Sequence, residues 1–395
     1  MTTGSIASLP PAAPAAPVLW NRSGFRALFL VSAMAALAGG TWGALWRLGW
    51  TLPHGSSLAD LHGPLMICGL FGTLIGLERA VALGRGWSYA APALAGLGTL
   101  LLLGGAPAAF GAGAYAAAAA VLAGSSLLIA LRQPALFTGA LLFGTLAWLA
   151  GSAVWMAGRP VSDAVGWWLT FLVLTVAGER LELSRVALPE RRSEPLFLFG
   201  IGLLLAGAQN GLTTGNGAVL FGLGLIAATA WLLRHDVARR NIRRDGQTRF
   251  MAACMLAGHG WLGLAGLALL AAPPGETAFG YDIALHAVLI GFVLSMVFGH
   301  ALIILPAVAR VRVRYAPVLY GPLLLLHASL VLRVAAGLGG WDAGRRASGV
   351  LTLLALAGFA GSLAFASWRG RTRSRPAVGA TVASAPLEAR PQAGE

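Results

Sequence analysis

Residues 61–79 read LHGPLMICGLFGTLIGLER. Between His62 and Glu78 there is no charged residue, and only Thr73 carries a hydroxyl. At a rise of about 1.5 Å per residue, an apolar helix of about 20 residues covers the roughly 30 Å of a hydrocarbon core. The stretch therefore reads as a membrane-spanning helix. Its ends carry an imidazole and a Glu78-Arg79 pair, and such groups are costly inside a bilayer.

The same pattern recurs along the chain. Of its 395 residues, 57% are hydrophobic and 11% are charged, and the mean hydropathy is +0.75. A soluble domain of this length carries far more charge, and a membrane β-barrel shows short alternating strands that are absent from this sequence. The fold class is an all-α polytopic membrane bundle of about twelve transmembrane helices. The predicted spans are 25–47, 58–81, 87–104, 108–131, 135–157, 163–183, 195–211, 216–233, 249–272, 281–308, 316–338 and 347–368, separated by punctuation such as Gly104-Gly105-Ala106-Pro107 and Pro273-Pro274-Gly275. Residues 25–368 form a single transmembrane domain. The flanking stretches 1–24 and 369–395 read as disordered cytoplasmic tails, and the first lacks the basic start of a signal peptide.

All 28 basic side chains are arginine, and the net charge is +14. A nucleic-acid partner is not needed to explain this charge. Twenty-three arginines fall on one side of the predicted spans and five on the other: Arg47, Arg159, Arg333, Arg345 and Arg346. The asymmetry predicts an inner-membrane protein, surrounded by lipid, with both termini in the cytoplasm. The run RHDVARRNIRRDG has a second reading as an anionic-lipid or partner site. Cys68 and Cys254 lie in apolar runs and form no CxxC or disulfide pattern.

Seven histidines remain to be explained. His54 and His235 fall in predicted loops and read as solvated. The other five, His62, His259, His286, His300 and His327, fall within spans, where each ring needs partners for a donor and an acceptor. His62 and His286 lie near the outer ends of spans 2 and 10, both roughly 6–8 Å below the boundary. His259 and His327 lie near the middle of spans 9 and 11. His300 is about 21 Å along span 10 from His286 and cannot share a metal with it. Two histidines at matched depth on different helices suit the two axial positions of a haem iron. Glu78, Arg79, Glu179, Arg180 and His300 gather near the cytoplasmic ends. They are candidates for a polar cluster or proton route. The packing alternative has the arginines reaching the headgroups while each glutamate pairs with a neighbouring helix.

The segment HGPLMI, His62 to Ile67, resembles the second helix of haem-copper oxidase subunit I, where a His-Gly start near the outer face holds the low-spin haem. Residues 286–338 are similar to the C-terminal part of NnrS-type membrane proteins, through His286-Ala287, Gly291, Met296, Gly299-His300 and Leu332-Arg333-Val334. Over the third to eighth spans the similarity is in span count alone. The resemblance implies a twelve-helix protein carrying haem, and copper, linked to nitric oxide metabolism, with an electron donor as partner. It departs from the oxidases in one respect: spans 6 and 7 contain no histidine. A copper site would have to recruit His259 and His327. Glu78 and Glu179 each lie sixteen positions after the opening polar residue of their span, His62 and Asp163. That spacing fits a plan of three arcs of four helices.

The expected function is thus an integral membrane haem protein of the NnrS-like type in nitric oxide or other redox metabolism. His62 and His286 are its ligands, and His327 and His259 are second-choice ligands for a further haem or metal. Whether it turns over a substrate or only relays electrons stays open. The alternatives are a twelve-helix secondary transporter, for which Gln209-Asn210 offers the best polar candidate, and an assembly factor whose histidines only bridge helices.

Overall fold

The computed structural model describes residues 23–184, 194–274, 277, 279–311 and 313–372. The predicted tails lie outside the described residues except where they extend the first and last helices. Twelve long helices carry the architecture: α1 (Gly24–Arg47), α2 (His62–Leu83), α3 (Gly86–Leu103), α4 (Ala108–Arg132), α5 (Leu136–Met156), α6 (Val161–Leu183), α7 (Glu194–Asn210), α8 (Gly215–His235), α9 (Gly246–Ala271), α10 (Gly280–Ala309), α11 (Pro317–Leu338) and α12 (Asp342–Trp368). Eleven of them are long and apolar enough to cross a membrane. The remaining one, α7, is a helix of 17 residues. Among the described residues no strand forms.

The helix ends follow local chemistry. Gly84, with φ of 65°, ends α2 in the left-handed conformation that glycine adopts without penalty. The Thr214 hydroxyl caps α8 by accepting the Gly217 N–H at 3.0 Å. Two boundary shifts stand out against the sequence reading. His62 heads α2 rather than lying four residues inside it, because a separate short helix, Gly55–Ala59, takes up the residues before it. The last helix begins at Asp342, five positions earlier than predicted.

Consecutive helices pack side by side, and the chain closes on itself where α1 meets α10 and α12. Within this ring α2, α6 and α10 touch one another. They are also the three most buried of the eleven: 61%, 72% and 67% of their most apolar stretches are buried, against 56% at most elsewhere. A helix surrounded by protein can carry polar groups without presenting them to lipid. Glycine allows the tight packing around this centre. A Cβ at Gly72 of α2 would lie 2.5 Å from the Trp148 ring, and one at Gly151 of α5 would lie 2.7 Å from Trp168 of α6. Each indole thus fits where any other residue would clash.

The inner helices α2 and α10 share a further feature. Each starts as an α-helix, turns into a π-helix (Leu65–Phe71 and Ala287–Leu294), and returns to α. Each π-helix follows a histidine, by one residue in α10 and by three in α2. Such wide turns are rare and are frequent at functional sites.

Candidate functional site

The polar starts of α2 and α10 meet. The rings of His62 and His286 have centres 6.4 Å apart and planes within 14° of parallel. Nδ1 of His62 lies 2.8 Å from the Gly40 carbonyl oxygen of α1. Nδ1 of His286 lies 2.8 Å from the Asp282 carbonyl oxygen, one turn earlier in its own helix. A carbonyl oxygen only accepts, so both Nδ1 atoms carry the proton and both Nε2 atoms keep a lone pair. Asp282 Oδ1 also approaches His286 Nδ1, at 3.2 Å. That carboxylate is gripped by Arg333 of α11, whose Nε and Nη2 donate to its two oxygens at 2.9 and 2.7 Å.

The two rings line a cavity of about 830 Å³ bounded by α1, α2, α5, α6, α10, α11 and α12. Its wall is largely apolar, with Met66, Phe71, Trp155 and Leu294 among the contributors. The polar remainder is mainly cationic: Arg47, Arg159, Arg333 and Arg345 against Asp60 and Asp282. Four of the five arginines on the sparse side of the topology count therefore converge on one cavity. Arg333 is engaged by Asp282, and Arg159 by Asp163 at 2.8 Å. Arg345 lies over the Phe279 ring at 4.1 Å and is 3.5 Å from the exposed Asp342 carboxylate. Arg47 has no hydrogen bond or ion pair among the described residues, which leaves its charge available to a ligand.

Residues 26–368 match the model of a family described as a domain of unknown function, DUF8744. The chain belongs to the DUF8744 family. Comparison with curated proteins and with solved structures found no match. The match covers the whole bundle from α1 to α12, so every site residue of this DUF8744 protein lies within the family's domain.

At their other ends the three inner helices are joined by a second polar constellation. Arg79 of α2 pairs with Glu179 of α6. Arg180 does not pair with its neighbour. It donates to His300 Nε2 of α10 at 2.6 Å and to the Met255 sulfur at 3.2 Å. His300 Nδ1 in turn donates to the Met296 carbonyl oxygen at 2.7 Å, so the ring is neutral with its proton on Nδ1. Glu78 sits beside this chain, partly buried. His300 is thus placed in a polar cluster at the far end of α10 from His286. Glu182 and Arg185 are three positions apart, a spacing that allows a pair along one helix, but Arg185 lies outside the described residues.

The other two intramembrane histidines lie away from the cavity, and among the described residues neither ring nitrogen of His259 has a hydrogen-bond partner. His327 Nδ1 accepts the Trp261 indole N–H at 3.0 Å, which puts the ring proton on Nε2 and spends the lone pair that a metal would need. His259 is fully buried, with Nε2 3.5 Å from Asp236 Oδ2. Neither lines the cavity, and among the described residues no group of three or more His, Cys, Asp or Glu could hold a metal ion. Asp236 follows α8. Burial pushes its carboxyl above the usual range, and Arg180 and the Ala238 N–H oppose that shift. His235 corrects the sequence reading. It is buried rather than solvated, with its ring centre 4.9 Å from that of Trp231, because α8 extends to include it. His54 is exposed, as its loop position suggests.

Three residues of the site escaped the sequence reading. Asp282 precedes His286 by four positions, a spacing that sets both on one helical face. Arg333 enters the sequence reading through topology and the Leu332-Arg333-Val334 motif, neither of which shows its partner Asp282. The Gly40 carbonyl left no trace in the sequence, since any residue supplies one. Gly40 matters for its lack of a side chain: a Cβ there would lie 2.8 Å from the Met66 sulfur.

Proposed function

We propose that this DUF8744 protein is an integral membrane haem protein, with the haem iron held between His62 of α2 and His286 of α10. The observation that carries the reading is the pair of near-parallel imidazoles on facing inner helices, each with Nδ1 committed to a backbone carbonyl and Nε2 left as the only lone-pair nitrogen. With ring centres 6.4 Å apart, His62 and His286 are the residues that would hold the iron. Backing of a ligand nitrogen by a carbonyl or carboxylate is the usual second layer of a metal site.

The cavity fits the rest of the group. Its volume lies within the roughly 300–1,000 Å³ of sites for molecules of this size, and an apolar wall suits a macrocycle. Arg47 and Arg345 at its polar side suit the two carboxylates of a haem. When bound, haem supplies one-electron transfer and affinity for diatomic gases. The chain's own residues fix the ligand tautomers, balance the carboxylate charges and exclude lipid. A role in nitric oxide-linked or related redox metabolism follows from the resemblance to NnrS-type proteins. So does kinship with the oxidases, and the mutual contact of α2, α6 and α10 favours three arcs of four helices with α7 as a crossing helix. In that plan both termini face the cytoplasm and the cavity opens outward. The copper reading draws no comparable support, because His327 is spent on Trp261. The transporter reading is the weaker rival: the Asn210 amide donates to Ala206 O at the exposed end of α7.

Absorption spectroscopy tests the proposal. Full-length protein purified from haem-replete membranes should show a Soret band that shifts on dithionite reduction, and His62→Ala should change its position or intensity. A colourless, folded preparation refutes the reading.

A further inference from the structure

His62 and His286 face one cavity, yet the groups behind them differ. His62 Nδ1 has a single neutral acceptor, Gly40 O at 2.8 Å. His286 Nδ1 has two: Asp282 O at 2.8 Å and the Asp282 carboxylate at 3.2 Å. That carboxylate cannot swing away, because Arg333 holds both of its oxygens in a two-point grip from α11. A hydrogen bond to a carboxylate makes an imidazole more basic at its other nitrogen than one to an amide carbonyl does, and so a stronger donor to a metal.

The backbone settings differ in the same sense. His286 closes a full α-helical segment, Gly280–His286, tied to α11 through Arg333. His62 is the first residue of α2, where amide groups lack intrahelical partners. The His62 ring thus has the weaker anchor.

We propose that Asp282 would make His286 the strong, permanent ligand and leave His62 as the exchangeable one, the side from which a small exogenous ligand would enter. The inference rests on the haem reading above. It adds that the two ligands are unequal and that Asp282 is the positioning residue responsible.

The test uses the full-length holoprotein in detergent, with carbon monoxide as the probe of the dithionite-reduced state. His62→Ala should keep its haem and bind carbon monoxide at least tenfold faster than the unaltered protein, whereas His286→Ala should lose most of its haem. Asp282→Asn should favour the reduced state about tenfold, a rise in midpoint potential of about 59 mV for one electron, and Asp282→Glu should restore most of the difference. A purely structural role for Asp282 would lower thermal stability without moving the potential. An unchanged potential in a folded, haem-replete Asp282→Asn variant overturns the inference and leaves the haem reading standing. So does the reverse pattern, with haem lost in His62→Ala and kept in His286→Ala. If Asp282→Asn does not accumulate as folded protein, the two histidine variants decide alone. A colourless unaltered protein overturns the haem reading, and the inference with it.

Discussion

Replacing Arg333 by Gln measures the anchor behind His286 independently of any cofactor. The Arg333 and Asp282 side chains are 9% and 23% exposed, and they share two hydrogen bonds of 2.7 and 2.9 Å. Truncating one partner of a buried pair leaves the other charge uncompensated, at about 3–5 kcal/mol. Asp282 retains some exposure, so the lower end, about 3 kcal/mol, applies to Arg333→Gln. Combining it with Asp282→Asn removes both charges and leaves mainly lost hydrogen bonds, at about 1 kcal/mol. The double variant should therefore be more stable than Arg333→Gln alone, by about 2 kcal/mol, and the cycle should show strong coupling between the two sites. Unfolding in mixed detergent micelles, followed by tryptophan fluorescence, provides the assay, since 13 tryptophans report on the fold. Additive effects, or a cost below about 0.5 kcal/mol for Arg333→Gln, would refute the picture of a buried, mutually dependent pair.

Three further outcomes follow. Arg79→Gln should destabilise the bundle by about 2–3 kcal/mol, because Glu179 loses its partner across α2 and α6 in a partly buried setting; Arg79→Gln with Glu179→Gln should recover part of that loss in the same unfolding assay. Trp261→Phe removes the donor to His327 Nδ1 and should cost about 1 kcal/mol while leaving the visible spectrum of the purified protein unchanged; a lost Soret band would mean that His327, not His62, holds the iron. Arg159→Ala breaks a pair whose arginine side chain is 68% exposed, so its effect on unfolding should stay within about 1 kcal/mol.

Much of the bundle was legible because hydrocarbon imposes a single rule: backbone polar groups must be satisfied within the helix, and the side chains facing lipid must be apolar. Eleven of the twelve predicted spans could be read for that reason. Counting along a helix also gave the matched depth of His62 and His286, although His62 proved to head its helix. Tertiary partners were harder to read. Glu78-Arg79 and Glu179-Arg180 look alike in sequence, yet Arg79 reaches Glu179 while Arg180 turns to His300, a difference set by which inner helix lies opposite. His327 read as a spare ligand until the Trp261 indole appeared beside it, a contact between residues 66 positions apart. The π-helices of α2 and α10 have no compositional signature, and neither does the Gly40 carbonyl. The outer arginines stood in plain view, but topology explained the other 23 so well that the convergence of four on one cavity passed unnoticed.

The most direct measurement is an anomalous-scattering map at the iron edge, from crystals of the full-length protein grown without added metal. The account predicts one iron peak between His62 and His286, about 2.0 Å from Nε2 of each ring. An iron-free cavity in folded protein from haem-replete cells, or iron bound at a site touching neither ring, would contradict it.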